Sequence, residues 1–169
     1  MSDLAVTIAP ETPADETAIE RLTERTFGPG RYARTAYRIR ESVRHRLDLS
    51  FTARIGPLMV GSVRLTPVVI GSTPALLLGP LTVEPPFRDR GIGRLLIERA
   101  LGEAKAVGHR LVVLVGDEPY YGRMGFKPVP QGRVRMPGPV DPTRLLVAEL
   151  EANAFEGVSG AIEPAWEPA

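Results

Sequence analysis

A short loop rich in arginine and glycine carries the pattern best suited to binding a charged ligand. Residues 88–94 read RDRGIGR, between an apolar run at residues 76–83 and an amphipathic run at residues 92–107. This order predicts a strand, a tight turn and a helix, so the loop meets the free N–H groups and the positive dipole end of a helix N-terminus. Phosphate binds well at such a point, and Gly91 and Gly93 permit unusual backbone angles and close approach. Three arginines can add charge-assisted hydrogen bonds, namely Arg88, Arg90 and Arg94.

The loop lacks the features of two common nucleotide-binding loops. It has neither the four-residue gap between glycines nor the Lys-Ser/Thr pair of a Walker loop. In a Rossmann fingerprint the third glycine would fall at position 96, which is Leu96 here. A lone Gly-x-Gly also occurs in plain strand-to-helix turns, so an anion site and a simple turn both stay open at this point.

A second segment combines two tyrosines with a Gly-Phe pair. Residues 116–126 read GDEPYYGRMGF, which predicts a short helical turn followed by a strand. Tyr121 lies four residues before Gly125. A phenol ordinarily ionises near pH ~10, so it is protonated at neutral pH and can donate a proton. The alternative for Tyr121 is a buried aromatic that bonds a backbone carbonyl, and Tyr120 is interpreted as a packing or substrate-contact residue.

The rest of the chain must position these two segments. Strands are predicted at residues 4–8, 51–55, 58–70, 76–83, 110–115 and 144–150, the third of them bent at Pro67 and the sixth being the last. Helices are predicted at residues 12–28, 32–47 and 92–107. A strand, a crossover helix and an apolar strand form a βαβ unit, so residues 110–115 should run parallel to residues 76–83.

Length and composition limit the class of protein. With 169 residues, we expect one domain over residues 1–150 and a tail over residues 151–169, which is either loose or folded back through Phe155 and Trp166. A net charge of +1 implies no general attraction to nucleic acid or to an acidic membrane. The lack of cysteine excludes disulfides and a cysteine nucleophile, and no carboxylate–histidine spacing indicates a metal. No apolar run approaches the ~20 residues of a membrane span, and no signal pattern is visible, so a cytoplasmic location is expected.

Together the two segments resemble those of the Gcn5-related N-acetyltransferase (GNAT) family and, within it, the bacterial YhbS-like subgroup. Residues 88–94 match the family's Arg/Gln-x-x-Gly-x-Gly/Ala loop, and Tyr121 holds the place of a tyrosine four residues before Gly-Phe. The resemblance implies an α/β (α+β) fold with a mixed, mostly antiparallel twisted sheet, a central βαβ unit and flanking helices. It also implies acetyl-coenzyme A (acetyl-CoA) as the donor, its pyrophosphate held by the loop and its pantetheine arm by a strand backbone. The binding residues so implied are Leu81, Thr82, Val83, Arg88, Arg90, Gly91, Ile92, Gly93 and Arg94.

The resemblance further implies transfer of the acetyl group to a primary amine. Tyr121 would be the acid that protonates the leaving thiolate. Glu84 or Asp117, at the ends of the two parallel strands, would accept the amine proton, although either could equally be a solvated turn residue. His45 and His109 have no catalytic partner visible in the sequence. Since cysteine, the usual acyl carrier, is absent, transfer should be direct in a ternary complex.

No motif names the acceptor or excludes every other function. By the architecture of the resembled family, a small-molecule or peptide amine would bind a groove made by residues 27–32, Arg64 and Glu84, in a monomer or a homodimer. Three alternatives stay open: a non-catalytic acyl-CoA sensor on the same fold, a nucleotide-phosphate enzyme and a partner-binding adaptor. The missing Walker lysine argues against the second of these.

Overall fold

The protein is an α/β structure built on a mixed sheet. The computed structural model describes residues 5–28, 39 and 43–165. Its strands are β1 Thr7–Pro10, β2 Phe51–Ile55, β3 Leu58–Ile70, β4 Thr73–Val83, β5 Leu111–Val115, β6 Lys127–Pro128, β7 Val134–Arg135, β8 Leu145–Glu149 and β9 Gly160–Pro164. The α-helices described in full are α1 Glu16–Phe27, α2 Ile92–Ala106 and α3 Glu118–Tyr121. Most neighbouring strands are antiparallel and helices flank the sheet, so the predicted fold class is confirmed. None of the described helices is long and apolar enough to cross a membrane.

The chain becomes helical where the sequence predicts, in a single 3-10 turn at Pro13–Asp15 that leads into helix α1, because this turn is capped. The backbone N–H of Thr12 donates to the Asp15 carboxylate at 2.9 Å, which satisfies a group that the helix leaves unpaired. The helix ends before Gly28, whose φ of +67° is a left-handed value that favours glycine. Its inward side is fully buried against β3 through Ile19 and Leu22.

The prediction of a second helix at residues 32–47 can be compared with the structure mainly at its end. Residues 32–38 and 40–42 lie outside the described residues, and Ile39 is helical and buried. Residues 43–46 are not helical, so the predicted helix is too long.

The chain is not helical at this point because it joins the sheet. The backbone N–H of Arg46 donates to the carbonyl of Leu65 in β3 at 2.8 Å. Residues Leu47–Leu49 then form a single 3-10 turn. Leu49 is buried in that turn and Leu47 is exposed.

The centre of the sheet is the predicted antiparallel meander followed by the predicted βαβ unit. Strands β2, β3 and β4 pair in order, and α2 then crosses to β5, which is parallel to β4. Leu76 and Leu78 of β4 pack in the same cluster as the inward side of α2, whereas Leu77 packs in a second cluster. This alternation is expected of a strand that is covered on both faces.

Strand β8 is not the last strand, contrary to the prediction. Strand β9 follows it and pairs antiparallel with β3 at residues 68–70 and parallel with β7. Phe155, which lies between β8 and β9, is buried. The centre of its ring is 4.2 Å from the guanidinium carbon of Arg133. Arg133 also donates to the carbonyl of Val158 at 2.7 Å. The chain after β8 therefore returns to the sheet, while Trp166 lies outside the described residues.

Candidate active site

The two parallel strands at the centre of the sheet separate towards their carboxyl ends. Strands β4 and β5 pair only at Leu76 with Val112 and at Leu77 with Val113, although β4 continues to Val83. Over that extension β4 remains bonded to β3 on its other edge. Among the described residues, no strand pairs with this part of the edge that faces β5, so its N–H and C=O groups can bond an extended ligand as an added strand would. The predicted binding residues on this stretch are Leu81, Thr82 and Val83.

A bulge in β4 lies where the separation begins. Leu78 and Leu81 pair with β3 residues only two positions apart, so residues 79–80 together face the single residue Arg64. The second of the two is a proline, which has no N–H for the ladder, and a bulged strand twists more than a regular one. An irregularity was expected at Pro67 instead, but Pro67 pairs in register with β4. The Gly-Pro pair inside a predicted strand was the signal for the true position.

The loop between β4 and α2 uses its two glycines differently. Gly91 caps α2 with a φ of +80°, a left-handed conformation that favours glycine. Asp89, earlier in the loop, also has a positive φ of 63°. Gly93 lies in the first turn of α2 without a left-handed φ, and a Cβ there would come 2.5 Å from the Tyr120 hydroxyl. The expectation of unusual backbone angles is therefore confirmed at Gly91 and wrong at Gly93, where glycine provides space.

The three loop arginines are exposed and make weak contacts around this turn. Arg88 donates to the last carbonyl of β4 at 3.4 Å. Arg90 lies 5.5 Å from the centre of the Phe87 ring. Arg94 pairs with Glu98 at 2.7 Å on the surface of α2, and an exposed pair of this kind contributes little to stability. All three guanidinium groups can therefore turn towards an anion at the N-terminus of α2 at small cost.

Tyr121 is enclosed at the end of β5. Its ring packs edge-on against Tyr120 and Phe126, with ring centres 4.9 and 5.9 Å away. The ring also covers Gly116, where a Cβ would come 2.4 Å from its Cε2 atom. Burial raises the pKa of Tyr121 to about 12, and the neighbouring Tyr120 and Asp117 add to the rise. The phenol therefore keeps its proton at neutral pH, as a proton donor must.

Three elements converge on Gly93. The atoms nearest to the position of a Cβ there are the Tyr120 hydroxyl at 2.5 Å and methyl groups of Leu81 and Val83 at 3.6 and 3.7 Å. Burial raises the pKa of Tyr120, and the Asp89 carboxylate in the loop contributes in the same direction. The structure thus brings the predicted loop and the predicted strand together, and it adds Tyr120 to this point.

Both predicted bases lie at the ends of their strands, and each is paired with an arginine. Glu84 accepts from Nε of Arg25 at 3.0 Å and from Nη2 at 2.7 Å, which ties α1 to the end of β4. The hydrogen bonds to Glu84 raise the pKa of Arg25. Asp117 is exposed and lies 3.4 Å from Arg144. Of the predicted acceptor groove, residues 29–32 lie outside the described residues.

A buried polar cluster beside the bulge has no signal in the sequence. The carboxylate of Glu11 accepts from Arg64 at 3.0 and 3.1 Å and lies 2.8 Å from Nε2 of His45. Burial alone would raise the pKa of Glu11, but hydrogen bonds with His45 and Arg64 outweigh it and hold the pKa below its usual value. Arg64 was expected in the acceptor groove and is instead engaged here, opposite the bulge. Glu11 and Arg64 are 53 positions apart in the chain, so no local pattern could link them.

A known protein family matches the part of the chain that holds the site. A family model described as an acetyltransferase (GNAT) domain matches residues 49–128. That span contains the bulge, the loop and the pair of tyrosines. The resemblance to the GNAT acetyltransferases and the enzyme class, both predicted from the sequence, are confirmed by this match and by the similar proteins that follow.

Within this class the chain is similar to YhbS of Escherichia coli over nearly its whole length. The curated N-acetyltransferase YhbS of strain K12 is 29% identical over 155 residues, which cover 90% of this chain and 92% of that protein. The crystal structure of YhbS in complex with CoA has a TM-score of 0.82 at 26% identity and covers 98% of this chain and 92% of that chain. A GNAT family acetyltransferase from Brucella melitensis, in complex with acetyl-CoA, has a TM-score of 0.64 at 29% identity, covering 91% of this chain and 100% of that chain.

Proposed function

We propose that the protein transfers the acetyl group of acetyl-CoA to a primary amine of a small molecule or peptide. The observation that carries this proposal is an edge of β4 with which no strand pairs among the described residues, and which lies beside the loop at residues 88–94 and on the same side of the sheet as the partly buried, protonated Tyr121. The strand edge suits the extended pantetheine arm of acetyl-CoA, the loop suits its diphosphate, and Tyr121 suits its thioester. The structures of the similar YhbS and Brucella proteins, which hold CoA and acetyl-CoA, support the same donor.

We call the space between the carboxyl ends of β4 and β5 the gap. The residues around it fit the diphosphate and the pantetheine arm of the donor. The N–H groups in the first turn of α2 have no carbonyl partner within the helix, so they can bind the diphosphate together with Arg88 and Arg90. Residues 81–83 offer the backbone groups of a free strand edge to the amides of the arm. Glycine at position 93 avoids a Cβ that would lie 2.5 Å from the Tyr120 hydroxyl in the first turn of α2. We infer that the loop holds the diphosphate and that the end of β4 holds the arm.

Tyr121 is proposed to act on the departing sulfur. When bound, acetyl-CoA supplies an acetyl group that is activated as a thioester. The amine nitrogen loses one proton as its bond to the acetyl carbon forms, and the sulfur gains one as the carbon–sulfur bond breaks. The pKa of about 12 for Tyr121 lies above the ordinary value of ~8.5 for a thiol, so Tyr121 stabilises the developing thiolate by hydrogen bonding, and as it gives its proton to the sulfur it takes up, through water, the proton that the amine released.

Glu84 is proposed to accept the amine proton through a bridging water. Both carboxylate oxygens already accept hydrogen bonds from Arg25, so a water bridge requires less rearrangement than direct contact. Glu84→Gln should therefore lower kcat while CoA affinity stays close to that of the wild type. Asp117→Asn is the comparison, because Asp117 is an exposed carboxylate at the end of the other strand. If Glu84→Gln keeps the kcat of the wild type, the acceptor of the amine proton is bulk water and not Glu84.

A panel of primary amines assayed for release of free thiol from acetyl-CoA tests the function. Thiol should appear only when an acceptor is present, and mass spectrometry should find the acetylated amine. Initial-rate plots at several fixed amine concentrations should intersect, because direct transfer needs both substrates bound together. Parallel lines or an acetylated protein would contradict direct transfer. Binding of acetyl-CoA without thiol release across the whole panel would favour an acyl-CoA sensor on the same fold.

A further inference from the structure

Tyr120 differs from its neighbour Tyr121 in where its hydroxyl lies. The ring of Tyr121 is enclosed by Phe126 and Gly116 at the end of β5. Tyr120 is 42% exposed, and its hydroxyl reaches α2, 2.5 Å from the position of a Cβ on Gly93. One side chain thus links the β5 side of the gap to the first turn of the helix on the β4 side.

The hydroxyl of Tyr120 lies at the anion-binding end of α2. Gly93 belongs to the first turn of that helix, whose N–H groups have no carbonyl partner inside it. Burial raises the pKa of Tyr120, and the Asp89 carboxylate of the loop adds to the rise, so the phenol is a hydrogen-bond donor at neutral pH. An O–H donor beside these N–H groups is suited to a phosphate oxygen bound at the same point.

We propose that Tyr120 is a cofactor-binding residue whose hydroxyl donates a hydrogen bond to a diphosphate oxygen of CoA at the N-terminus of α2. This inference rests on the proposed function, since it takes CoA as the ligand. It gives the two adjacent tyrosines separate tasks, with Tyr121 at the reacting sulfur and Tyr120 at the phosphate end of the donor. Loss of the Tyr120 hydroxyl should therefore raise Kd and KM for the donor, whereas loss of the Tyr121 hydroxyl should lower kcat.

Calorimetry with CoA on the Tyr120→Phe variant tests this assignment. The ring and its packing against Tyr121 remain, and only the hydroxyl is lost. CoA affinity should fall about tenfold, the effect of removing one hydrogen bond to a charged group. Tyr121→Phe is the matched comparison, because it loses the same atom one residue along the chain. Thermal unfolding of each variant should show that both remain folded.

Pantetheine, which lacks the diphosphate, locates the contact. In titrations where pantetheine displaces CoA, Tyr120→Phe should bind pantetheine as tightly as the wild type. An equal loss for both ligands would place the hydroxyl on the arm and overturn the assignment to the diphosphate. Unchanged affinity for CoA in Tyr120→Phe would overturn the role of Tyr120 while leaving the proposed function intact. A wild-type protein that binds no CoA would remove the proposed function, and this inference with it.

Gly93→Ala gives a second test through the same contact. The added Cβ would lie 2.5 Å from the Tyr120 hydroxyl, so the ring has to turn away. Gly93→Ala should then lose about as much CoA affinity as Tyr120→Phe, and the double variant should lose no more than either single variant. Losses that multiply in the double variant would show that the two changes act independently, which contradicts the proposal.

Discussion

The ends of β4 and β5 are neighbours at the same edge of the sheet, yet they use glycine for opposite purposes. After β4, Gly91 turns the chain into α2, and no further atom of the described residues lies within 4 Å of where its Cβ would be. After β5, Gly116 lies under the ring of Tyr121, and a Cβ on Gly116 would come only 2.4 Å from the Cε2 atom of that ring. At Gly91 the lack of a side chain leaves open space. At Gly116 the space that a side chain would take is occupied by the ring of Tyr121.

This difference separates binding from chemistry across the gap. The β4 side offers backbone groups and exposed arginines, which can adjust to a ligand. The β5 side offers Tyr121, which is enclosed by its neighbours and holds its proton because burial raises its pKa to about 12. Changes on the β4 side should therefore act mainly on donor affinity, and changes on the β5 side mainly on rate.

Gly93→Val should have the largest effect, a loss of measurable CoA binding. Its side chain would project from a point that is already 2.5 Å from the Tyr120 hydroxyl and 3.6 Å from a methyl group of Leu81, so it would fill the mouth of the gap. Calorimetry on the folded variant measures the loss. Gly102→Ala, also in α2, is the control, because in the part of the chain that the structure describes no neighbouring atom lies within 4 Å of the added Cβ. Unchanged affinity in Gly93→Val would remove this loop from the site.

Tyr121→Phe should come next, with kcat lowered about 10²–10⁴-fold, the usual contribution of a positioned proton donor. Donor affinity should change little, because the ring and its packing remain. Single-turnover rates with a good amine acceptor measure the chemical step without interference from product release. A Tyr121→Phe rate within about threefold of the wild type would make Tyr121 a packing residue, and the proton would then come from water.

Gly116→Ala and Gly91→Ala form a matched pair with intermediate effects. At Gly116 the new Cβ meets two atoms of the Tyr121 ring, at 2.4 and 2.9 Å, so the phenol must shift and kcat should fall about tenfold with donor affinity retained. At Gly91 the Cβ meets no atom of the described residues within 4 Å, but the left-handed φ costs about 1–2 kcal/mol, which should weaken donor binding through a distorted loop. A rate effect at Gly91 and an affinity effect at Gly116 would reverse the division of roles.

The smallest effect is expected from alkaline pH. Because the pKa of Tyr121 is raised from 10.0 to about 12, the neutral phenol predominates between pH ~7 and ~10. The raised pKa of Tyr121 stabilises the folded protein by an amount that is fully present below the pKa of Tyr121 in the unfolded chain. This stabilisation is lost as the pH rises through the pKa of Tyr121 in the folded protein. Single-turnover rates should therefore show no decline from Tyr121 over this range. A decline with an apparent pKa near ~10 that disappears in Tyr121→Phe would show a phenol that titrates as if exposed.

Parts of the site that are continuous in the chain could be predicted from the sequence. The loop at residues 88–94 follows a strand and opens a helix, and both neighbours are recognisable from their apolar spacing. The cap between Thr12 and Asp15 and the parallel pairing of β4 with β5 were predictable for similar reasons. Capping, turn chemistry and the handedness of a crossover act over a few residues or follow from chain order.

Parts of the site that join distant residues were decided only by the tertiary structure. Arg25 and Glu84 are 59 positions apart, and β9 pairs with a strand some 90 residues earlier in the chain. Periodicity shows which face of an element is apolar, but it does not show which other element will cover that face. Gly93 illustrates the limit, because a glycine in a loop suggests backbone freedom, whereas here the need for glycine comes from the Tyr120 hydroxyl. Only packing brings that hydroxyl to α2, because Tyr120 arrives there from the far side of the gap.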